Sequence, residues 1–560
     1  MAGALLLPAV ALAQGQPLSP NDPSRLVKKP QATPSPPLAL PSAPPPGAQP
    51  DNAPRLALQG VVFDGGRAVP QSRLAPAWRM YRGKAVGLAD LRTIGHNAEA
   101  IYARAGYPFV AVLLKVQDVK DGVVHFDVVE GHISDLTILG SNPTARRQAT
   151  AVLKPLVGRQ PLTLAEVETA YELAQKVPGL AITGALRRGS QPGGMDLVVK
   201  AVRSDPWRFY VNVNDLYADP VGPWGVLVGA DYQGSTTHGD QGSVHVYTSV
   251  PAGRQVLVSG SYAIGLNSSG TQLGVSGLWG EANPKGTLAP LALATNIATV
   301  RFDLSQPLIE RRQGSLVADI ALQGSDQRTK VFSNIGLSDD KLRDFIARLA
   351  GEQTGAFGRW AGSLQLQQGL DFAGASHRGD ANLSRAGGDP EATIWSFSGE
   401  AQSKTVAHFS LAARVDLQYS SQPLTAPDQY SPGNLTIGRG YQPGVALGDS
   451  AVAGSFEVRY GPAPVMRVLQ AQPFVFVDSV RLYNHPIAPF AAHTLTSVGG
   501  GVRWEIAGKL HVDLVYAQPL DPPLGLGERR PSPEVLLNLT ANLNDAFAAI
   551  HRRLDRGTAK

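Results

Sequence analysis

The segments Ile437-Gly438-Arg439-Gly440-Tyr441 and Phe474-Val475-Phe476-Val477-Asp478 together supply the residue types of a charged latch. A guanidinium stays ionised at any physiological pH and forks onto a carboxylate through two parallel hydrogen bonds. Glycines on both sides of the arginine let a loop turn tightly enough to deliver that group to a wall. The wall reads as a strand, with Val475 and Val477 on one face and Phe476 and Asp478 on the other. By the same parity Ser455, Glu457 and Arg459 share a side, opposite Phe456, Val458 and Tyr460. The plain alternative for Arg439 is a solvated loop residue between turn formers, and Asp478 taken alone fits an ordinary wall residue equally; the joint pattern points to a loop tip anchored by a buried carboxylate.

Bond-making chemistry has little to stand on. The chain contains no cysteine, which removes thiol nucleophiles, thiolate metal sites and disulfides. His408 and Ser410 share a strand face, yet no acid completes a recognisable triad, so they read as ordinary polar residues of a wall or loop. No Walker A sequence is present, and the run Gly499-Gly500-Gly501 is followed by no helical pattern, so it marks a bend in a strand. No His or carboxylate cluster has metal-site spacing. Net charge is only +5 over 560 residues, and groups such as Arg311-Arg312 and Arg552-Arg553 are too short for a nucleic-acid face. The expectation is a protein without cofactor, metal or enzymatic activity.

The elements that position the latch follow from composition and period. Gly (60) and Pro (44) are abundant while charged residues are 17% of the chain, which favours β-structure with many turns, and the length predicts several domains. Residues 1–13 carry the apolar run Ala4 to Ala13 with small residues at Ala11 and Ala13, as in a secretory signal peptide. The positive n-region is missing, which places the expected translation start upstream of Met1. Residues 14–54 are Pro-rich without apolar periodicity and read as an extended, semi-stiff linker.

Two small α+β modules of similar grammar are expected next, over 55–132 and 133–204. In the first, a strand from Arg55 to Phe63 precedes a helix opening at Gly87 with Leu91, Ile94, Ala98 and Ile101 at helical spacing, and Gly106 ends it. Val110–Leu114 and Val123–Val129 supply further strands around the turn Lys120-Asp121-Gly122. In the second, Asp135–Leu139 is a strand and Thr163-Leu164-Ala165-Glu166 a capping box that opens a helix stopped by Pro178-Gly179. Strands over Leu180–Arg187 and Met195–Val202 complete it.

From 205 to 544 the period becomes two. Phe409, Leu411, Ala413, Val415, Leu417 and Tyr419 alternate with polar or small residues, and Leu510–Tyr516 and Val535–Leu543 repeat the grammar. One apolar face and one carrying charges and amides suit a membrane barrel with a wet lumen; a soluble sandwich has the same period. No stretch reaches the roughly 18 uninterrupted apolar residues of a spanning helix. The number of segments, the short turns and the signal peptide favour an antiparallel barrel of about 16 strands. Residues 545–560, with Phe547, Ile550 and Leu554 at helical spacing, read as a periplasmic tail.

At this point the residues resemble a known family. Leu88-Ala89-Asp90-Leu91, then Tyr102, Gly106, Tyr107 and Pro108, then Gln117-Asp118, then Val129-Glu130-Gly131 look like the first POTRA domain of two-partner secretion transporters, the TpsB type, or ShlB/FhaC/HecB family of the POTRA–β-barrel superfamily. The second module is similar to their second POTRA domain, and the rest to their barrel. The resemblance implies two periplasmic POTRA domains followed by a 16-stranded transmembrane β-barrel in the outer membrane of a Gram-negative cell. It further implies that Gly438, Arg439, Gly440 and Tyr441 tip a long extracellular loop folded into the lumen, with Phe476 and Asp478 on the wall facing Arg439. Two positions depart from the family pattern: Gly438 stands where Val or Ile is usual, and Val480 where the wall motif usually ends in Gly. The plug helix of many relatives is not recognisable in the Pro-rich segment.

The function implied is secretion of a haemagglutinin-, haemolysin- or adhesin-type partner exoprotein (TpsA type). POTRA strand edges would capture it unfolded, and folding outside would supply the drive. Outer-membrane lipid and lipopolysaccharide would surround the barrel, and the barrel-assembly machinery would insert it. The runner-up is an outer-membrane assembly or insertion factor of the same superfamily; a barrel enzyme or passive porin is a third class.

Overall fold

The computed structural model describes residues 36–40, 55–466, 468–485, 492–523 and 529–544. The signal peptide, most of the linker, any plug helix and the tail lie outside the described residues. In the first module the strand expected over 55–63 is two, Leu56–Ala57 and Gly60–Asp64. The break arises because the chain changes partner: Leu58 N donates to Lys84 O, and Gln59 N to Gly122 O. Gly60–Asp64 lies parallel to the central Val123–Val129, which pairs antiparallel with Ala111–Leu114 on its other side. Helix Leu88–Arg104 buries Leu91, Ile94, Ala98 and Tyr102 on this sheet. Gly106, at φ +94°, terminates it with a backbone that only glycine takes cheaply.

The second module has the sheet order His132–Leu139, Gly194–Arg203, Leu180–Arg188, with the last strand at an edge. Two helices cover it. Leu164–Gln175 begins at the expected capping box, in which Glu166 N donates to Thr163 Oγ1 at 3.1 Å and Thr163 N to Glu166 Oε2 at 2.9 Å. The other, Pro143–Leu153, was not expected, although its start is written plainly: Asn142 accepts from Ala145 N at 3.0 Å and Pro143 sits at the first position. Ile133, Leu153, Leu162, Tyr171 and Leu197 fill the core beneath them. The Pro-rich tract is not wholly detached, since Ala39 bridges Ala185 on the edge strand.

Hydrogen bonds join these parts in series. Leu164 N donates to Gly106 O, and Leu162 N to Gly131 O, tying module to module. Lys176 pairs with Glu310 at 2.7 Å, and Arg203 Nη2 reaches the carbonyls of Gln233 and Gly234 at 2.9 Å each, tying the second module to the barrel.

The barrel closes in simple up-and-down order from Trp207–Asn214 to Glu534–Asn542, which pair antiparallel with each other. Of the 17 strand segments in the ring, Ala463–Met466 continues Ser450–Tyr460 past Gly461-Pro462, and both pair with Leu469–Tyr483, so 16 strands span. Closure matters because hydrocarbon offers no partner for an unpaired sheet edge. Leu411, Leu417, Tyr419, Val475, Val477 and Tyr516 stand exposed on the outer surface. Trp207 packs beside Phe209 and Tyr232 at the end that faces the modules, as aromatic girdles do at membrane rims. Turns at that end are short; the long connections, including 421–449, lie at the other.

Candidate functional site

The connection 421–449 leaves the rim after Phe409–Ser420 and returns to Ser450–Tyr460, and both of its ends and its tip are held. At the returning end Asp449, almost wholly buried, accepts Leu424 N at 3.0 Å, Gln429 Nε2 at 3.1 Å and His485 N at 2.9 Å, and pairs with Arg385 from the preceding long connection. At the tip Gly433 N donates to Ile437 O, Asn434 N to Tyr441 O, and Gly440 N to Asn434 Oδ1, forming a compact knot around residues 433–441. Gly438 (φ +118°) and Gly440 (φ +88°) both adopt backbones that side chains rarely tolerate. The departure at Gly438 is therefore required by this loop's own path.

The knot aims Arg439 at the inner wall. Its Nε donates to Asp478 Oδ2 at 2.8 Å and its Nη2 to Asp478 Oδ1 at 2.6 Å, the two-pronged geometry expected of the pair. Backbone N–H groups of Gly438 (3.4 Å) and Arg439 (3.0 Å) add to the same carboxylate, which is 1% exposed. Nη1 reaches Glu457 Oε1 at 2.6 Å and Nη2 also reaches Ser455 Oγ at 2.9 Å, so every prong of the fork is engaged. Asp478 sits five residues inside the outer end of Leu469–Tyr483, which puts the tip about 15 Å below the rim at the usual rise per residue.

Glu457 binds the latch into a wider network. It also meets Arg459 at 2.7 Å and Arg503 at 3.0 Å, giving three guanidinium groups on two carboxylates. The rings of Phe476 and Phe474 lie beneath two of them: Arg439 Cζ is 3.6 Å from the Phe476 centroid, and Arg503 Cζ 3.9 Å from that of Phe474. Gly499 and Gly501 are paired opposite these phenylalanines. A Cβ at Gly499 would lie 2.7 Å from the Phe476 ring, and one at Gly501 2.9 Å from the Phe474 ring. The glycine run thus clears floor space for an aromatic platform that carries the arginines.

Tyr441 anchors the far side of the knot, its hydroxyl donating towards Thr496 O (2.8 Å) and Asp521 O (3.0 Å). Ile437 and Tyr441 bury against Ala453, Val480, Leu482 and Leu495 of the wall. Val480 is fully buried there, so the second departure fills a hydrophobic seat under the loop. Between the knot and the wall opens a cavity of about 230 Å³ whose lining includes Arg359, Glu400, Arg414 and Arg459.

The pairing of Arg439 with Asp478 and the inward parity of Ser455, Glu457 and Arg459 were legible from the chain. Arg503, Phe474, Asp449 and Arg385 were missed as members of the site. Gly499, Gly501 and Arg503 falling on one face was the signal for the platform. His408 lies in a turn at φ +71° and Ser410 points inward from the strand that follows, with no acid placed to activate either among the described residues.

The quoted residues of the first module do structural work. Tyr102 is fully buried, and Gly106 and Tyr107 close the helix beside it. Glu130 Oε1 accepts Arg67 N at 2.7 Å and Ala68 N at 2.6 Å, while Glu130 O accepts Gln160 Nε2 from the second module at 2.7 Å. Gln117 pairs through its amide with His125 N (2.9 Å) and O (2.7 Å), prolonging the sheet where the backbone strand has stopped. A Cβ on Gly131 would meet Phe109 Cβ at 2.5 Å, and Val129 pairs with Ala111; Pro108 lies exposed in the turn between.

The model for the haemolysin secretion/activation protein ShlB/FhaC/HecB matches residues 193–504, and that for the ShlB-type POTRA domain matches residues 56–131. The chain belongs to the ShlB/FhaC/HecB family. The family is one of transporters, and as a member the chain is an outer-membrane β-barrel transporter with its N-terminal POTRA region in the periplasm. Among ShlB/FhaC/HecB relatives, the outer membrane transporter CdiB of Dickeya dadantii is 27% identical over 146 residues, which is 26% of this chain and 25% of that protein. The heme/hemopexin transporter protein HuxB of Haemophilus influenzae is 20% identical over 471 residues, 81% of each chain. The solved structure of CdiB from Escherichia coli superposes with a TM-score of 0.74 at 16% identity, covering 91% of this chain and 94% of that one. At that identity the likeness establishes the shared fold.

Proposed function

We propose that this transporter secretes a partner exoprotein of haemagglutinin, haemolysin or adhesin type through its barrel to the cell surface. The observation that carries the reading is a closed barrel whose lumen holds a knotted loop, seated by Arg439 on Asp478 and Glu457, in a chain of the ShlB/FhaC/HecB family. A latch of ionic and aromatic contacts is the right kind of closure for such a pore. It holds the lumen against leakage, yet every contact in it can be exchanged for water once the loop lifts.

The second α+β module acts as a second POTRA domain. Both modules offer strand edges to an unfolded polypeptide, which would add to them by main-chain hydrogen bonds. The loop then leaves its seat, the exoprotein passes in an extended state, and folding outside draws the rest through. Lipid and lipopolysaccharide hold the apolar girdle, and the barrel-assembly machinery inserts the chain.

Deleting the gene tests this directly. Loss of a single surface or secreted protein supports export; a general fall in outer-membrane proteins supports the assembly-factor reading instead. Removing residues 55–202 should abolish exoprotein binding while the remaining barrel still inserts.

A further inference from the structure

The net charge of the chain resides in one short stretch of the first module. Residues 67–92 hold six of the 50 Lys and Arg but one of the 45 Asp and Glu, so the other 534 residues carry 44 of each sign. The six are Arg67, Arg73, Arg79, Arg82, Lys84 and Arg92, and all stand exposed. The lone acid, Asp90, is engaged by the backbone, accepting Gly87 N at 3.0 Å. Among the described residues no carboxylate pairs with Arg67, Arg73, Arg79, Arg82 or Lys84. Solvated faces normally intersperse both signs, and a field of one sign steers a charged partner.

The display is anchored from beneath. After Pro70 the backbone makes three single turns, Gln71–Leu74, Ala75–Ala77 and Arg79–Tyr81. Val69, Leu74 and Ala77 sink into the core of the module, with Trp78 and Tyr81 packed partly against it. Asn97 Nδ2 reaches Ala77 O at 3.3 Å and ties the stretch to helix Leu88–Arg104. Such turns advance about 2 Å per residue, so Arg73 to Lys84 covers roughly 20 Å. Met80, 63% exposed, sets a flexible apolar contact inside the row of cations.

The chain's own flanking segments do not neutralise this face. Residues 1–54 carry Asp22 and Asp51 against Arg25, Lys28 and Lys29, and residues 545–560 are basic as well. A membrane surface fits less well than a polypeptide, because the module is bonded to the second module, and it is the second that is tied to the barrel. Cations spaced along an irregular turn, with an apolar side chain among them, suit carboxylates separated by aliphatic residues. We infer that residues 67–84 form an electrostatic docking face for an acidic, unfolded stretch of the exported polypeptide. The face acts by charge and not by strand pairing: it draws the chain from solution and raises its concentration beside the module. Assignment of the acidic stretch to the exported protein rests on the secretion reading; the existence of an acid-binding face does not.

The test uses purified full-length protein in detergent and a fluorescein-labelled synthetic peptide alternating Glu with Ser or Leu. At about 12 residues the probe is long enough, when extended, to span the face. The parent should bind it, and Arg79→Ser, Arg82→Ser and Lys84→Ser together should weaken binding about tenfold, since each exposed contact contributes little and three are removed. A similar loss is expected from the other end of the face, in Arg67→Ser with Arg73→Ser. Binding by the parent itself should fall about tenfold between low and high salt, a readout that needs no variant. A probe with Gln in place of Glu should not bind. Equal binding by parent and both variants, equal binding of the Gln probe, or insensitivity to salt overturns the inference whatever the protein exports. Capture of phosphatidylglycerol vesicles without the probe assigns the face to a lipid surface and overturns it equally. In cells, Arg79→Glu, Arg82→Glu and Lys84→Glu together should cut export while the barrel keeps its heat-modifiable migration. If the probe binds as expected and that variant exports normally, the face stands and its assignment to the exported protein falls.

Discussion

Arg439 ties the loop tip to Asp478, Glu457 and Ser455 of the wall, and its removal should unseat the loop without unfolding the barrel. Arg439→Ala leaves Asp478 buried with only backbone donors, and breaking one side of a shielded pair costs about 3–5 kcal/mol. Since the loop contributes no strand to the ring, that cost is met by the loop lifting. The expected outcome is near-complete loss of exoprotein in culture supernatant, with normal barrel migration and raised single-channel conductance in planar bilayers. Unchanged secretion would remove the latch from the mechanism. Exchanging the partners, Arg439→Asp with Asp478→Arg, should recover only part of the secretion lost by either single change. The reason is Glu457: it meets the fork at 2.6 Å and would then face a carboxylate. The platform gives a separate prediction. Gly499→Val places a side chain where the Phe476 ring lies and against Tyr516 O, and overpacking of that kind costs about 1–3 kcal/mol. It should lower the temperature at which the folded barrel loses resistance to SDS, while an equivalent change at Gly454, where a Cβ meets nothing, should not.

At the scale of elements, the motif residues of the first module hold the joint to the next one. Glu130 serves two N–H groups of residues 67 and 68 by its side chain and the second module by its carbonyl. Glu130→Ala should strand both donors at about 1–3 kcal/mol in all. Limited proteolysis of the full chain in detergent should then cut within 55–132 at lower protease concentration, with the barrel unaffected; parent-like resistance would show that the carboxylate is dispensable. These elements were largely readable beforehand because each announces itself locally. Thr163 with Glu166 is a complete capping box, and Gly106 a helix stop. What stayed hidden depends on distant partners. The break at Leu58 comes from Lys84 and Gly122, the docking of residues 36–40 from an edge strand some 145 positions away, and the platform from strands that become neighbours only in the ring. Helix Pro143–Leu153 is the exception, since its Asn-Pro start is written locally. Burial alone would raise the Glu166 carboxyl, but hydrogen bonds from Thr163 and the nearby Arg159 charge outweigh it and hold the group below its usual range. A depressed carboxyl stabilises the fold above the pKa of the free side chain and loses that contribution as pH falls through the folded value.

For the whole molecule, the decisive division is between the two sides of the ring. Neighbouring residues on one strand obey opposite rules: Val477 is 42% exposed on the outer face, and Asp478 is buried in the lumen. Water on both sides would make the outer valines, leucines and tyrosines an apolar surface far larger than a soluble monomer carries, and lipid removes the difficulty. A charge placed outward must then cost what it costs in hydrocarbon. Val477→Arg is expected to destabilise the refolded barrel in liposomes by about 2–4 kcal/mol if it lies near the midplane, and less towards either rim. Ser497→Asp, on the lumen-facing side of the adjacent strand opposite Asp478, should instead act through the charge network and respond to salt. Urea titration of both variants beside the parent separates the two mechanisms. Depth dependence repeated at Val475 and Leu411 would trace the hydrocarbon layer around the ring. Equal stability of Val477→Arg and the parent would mean that the outer face is not dissolved in lipid at that height. The latch would then sit at a different depth relative to the membrane from the one its place inside the strands implies.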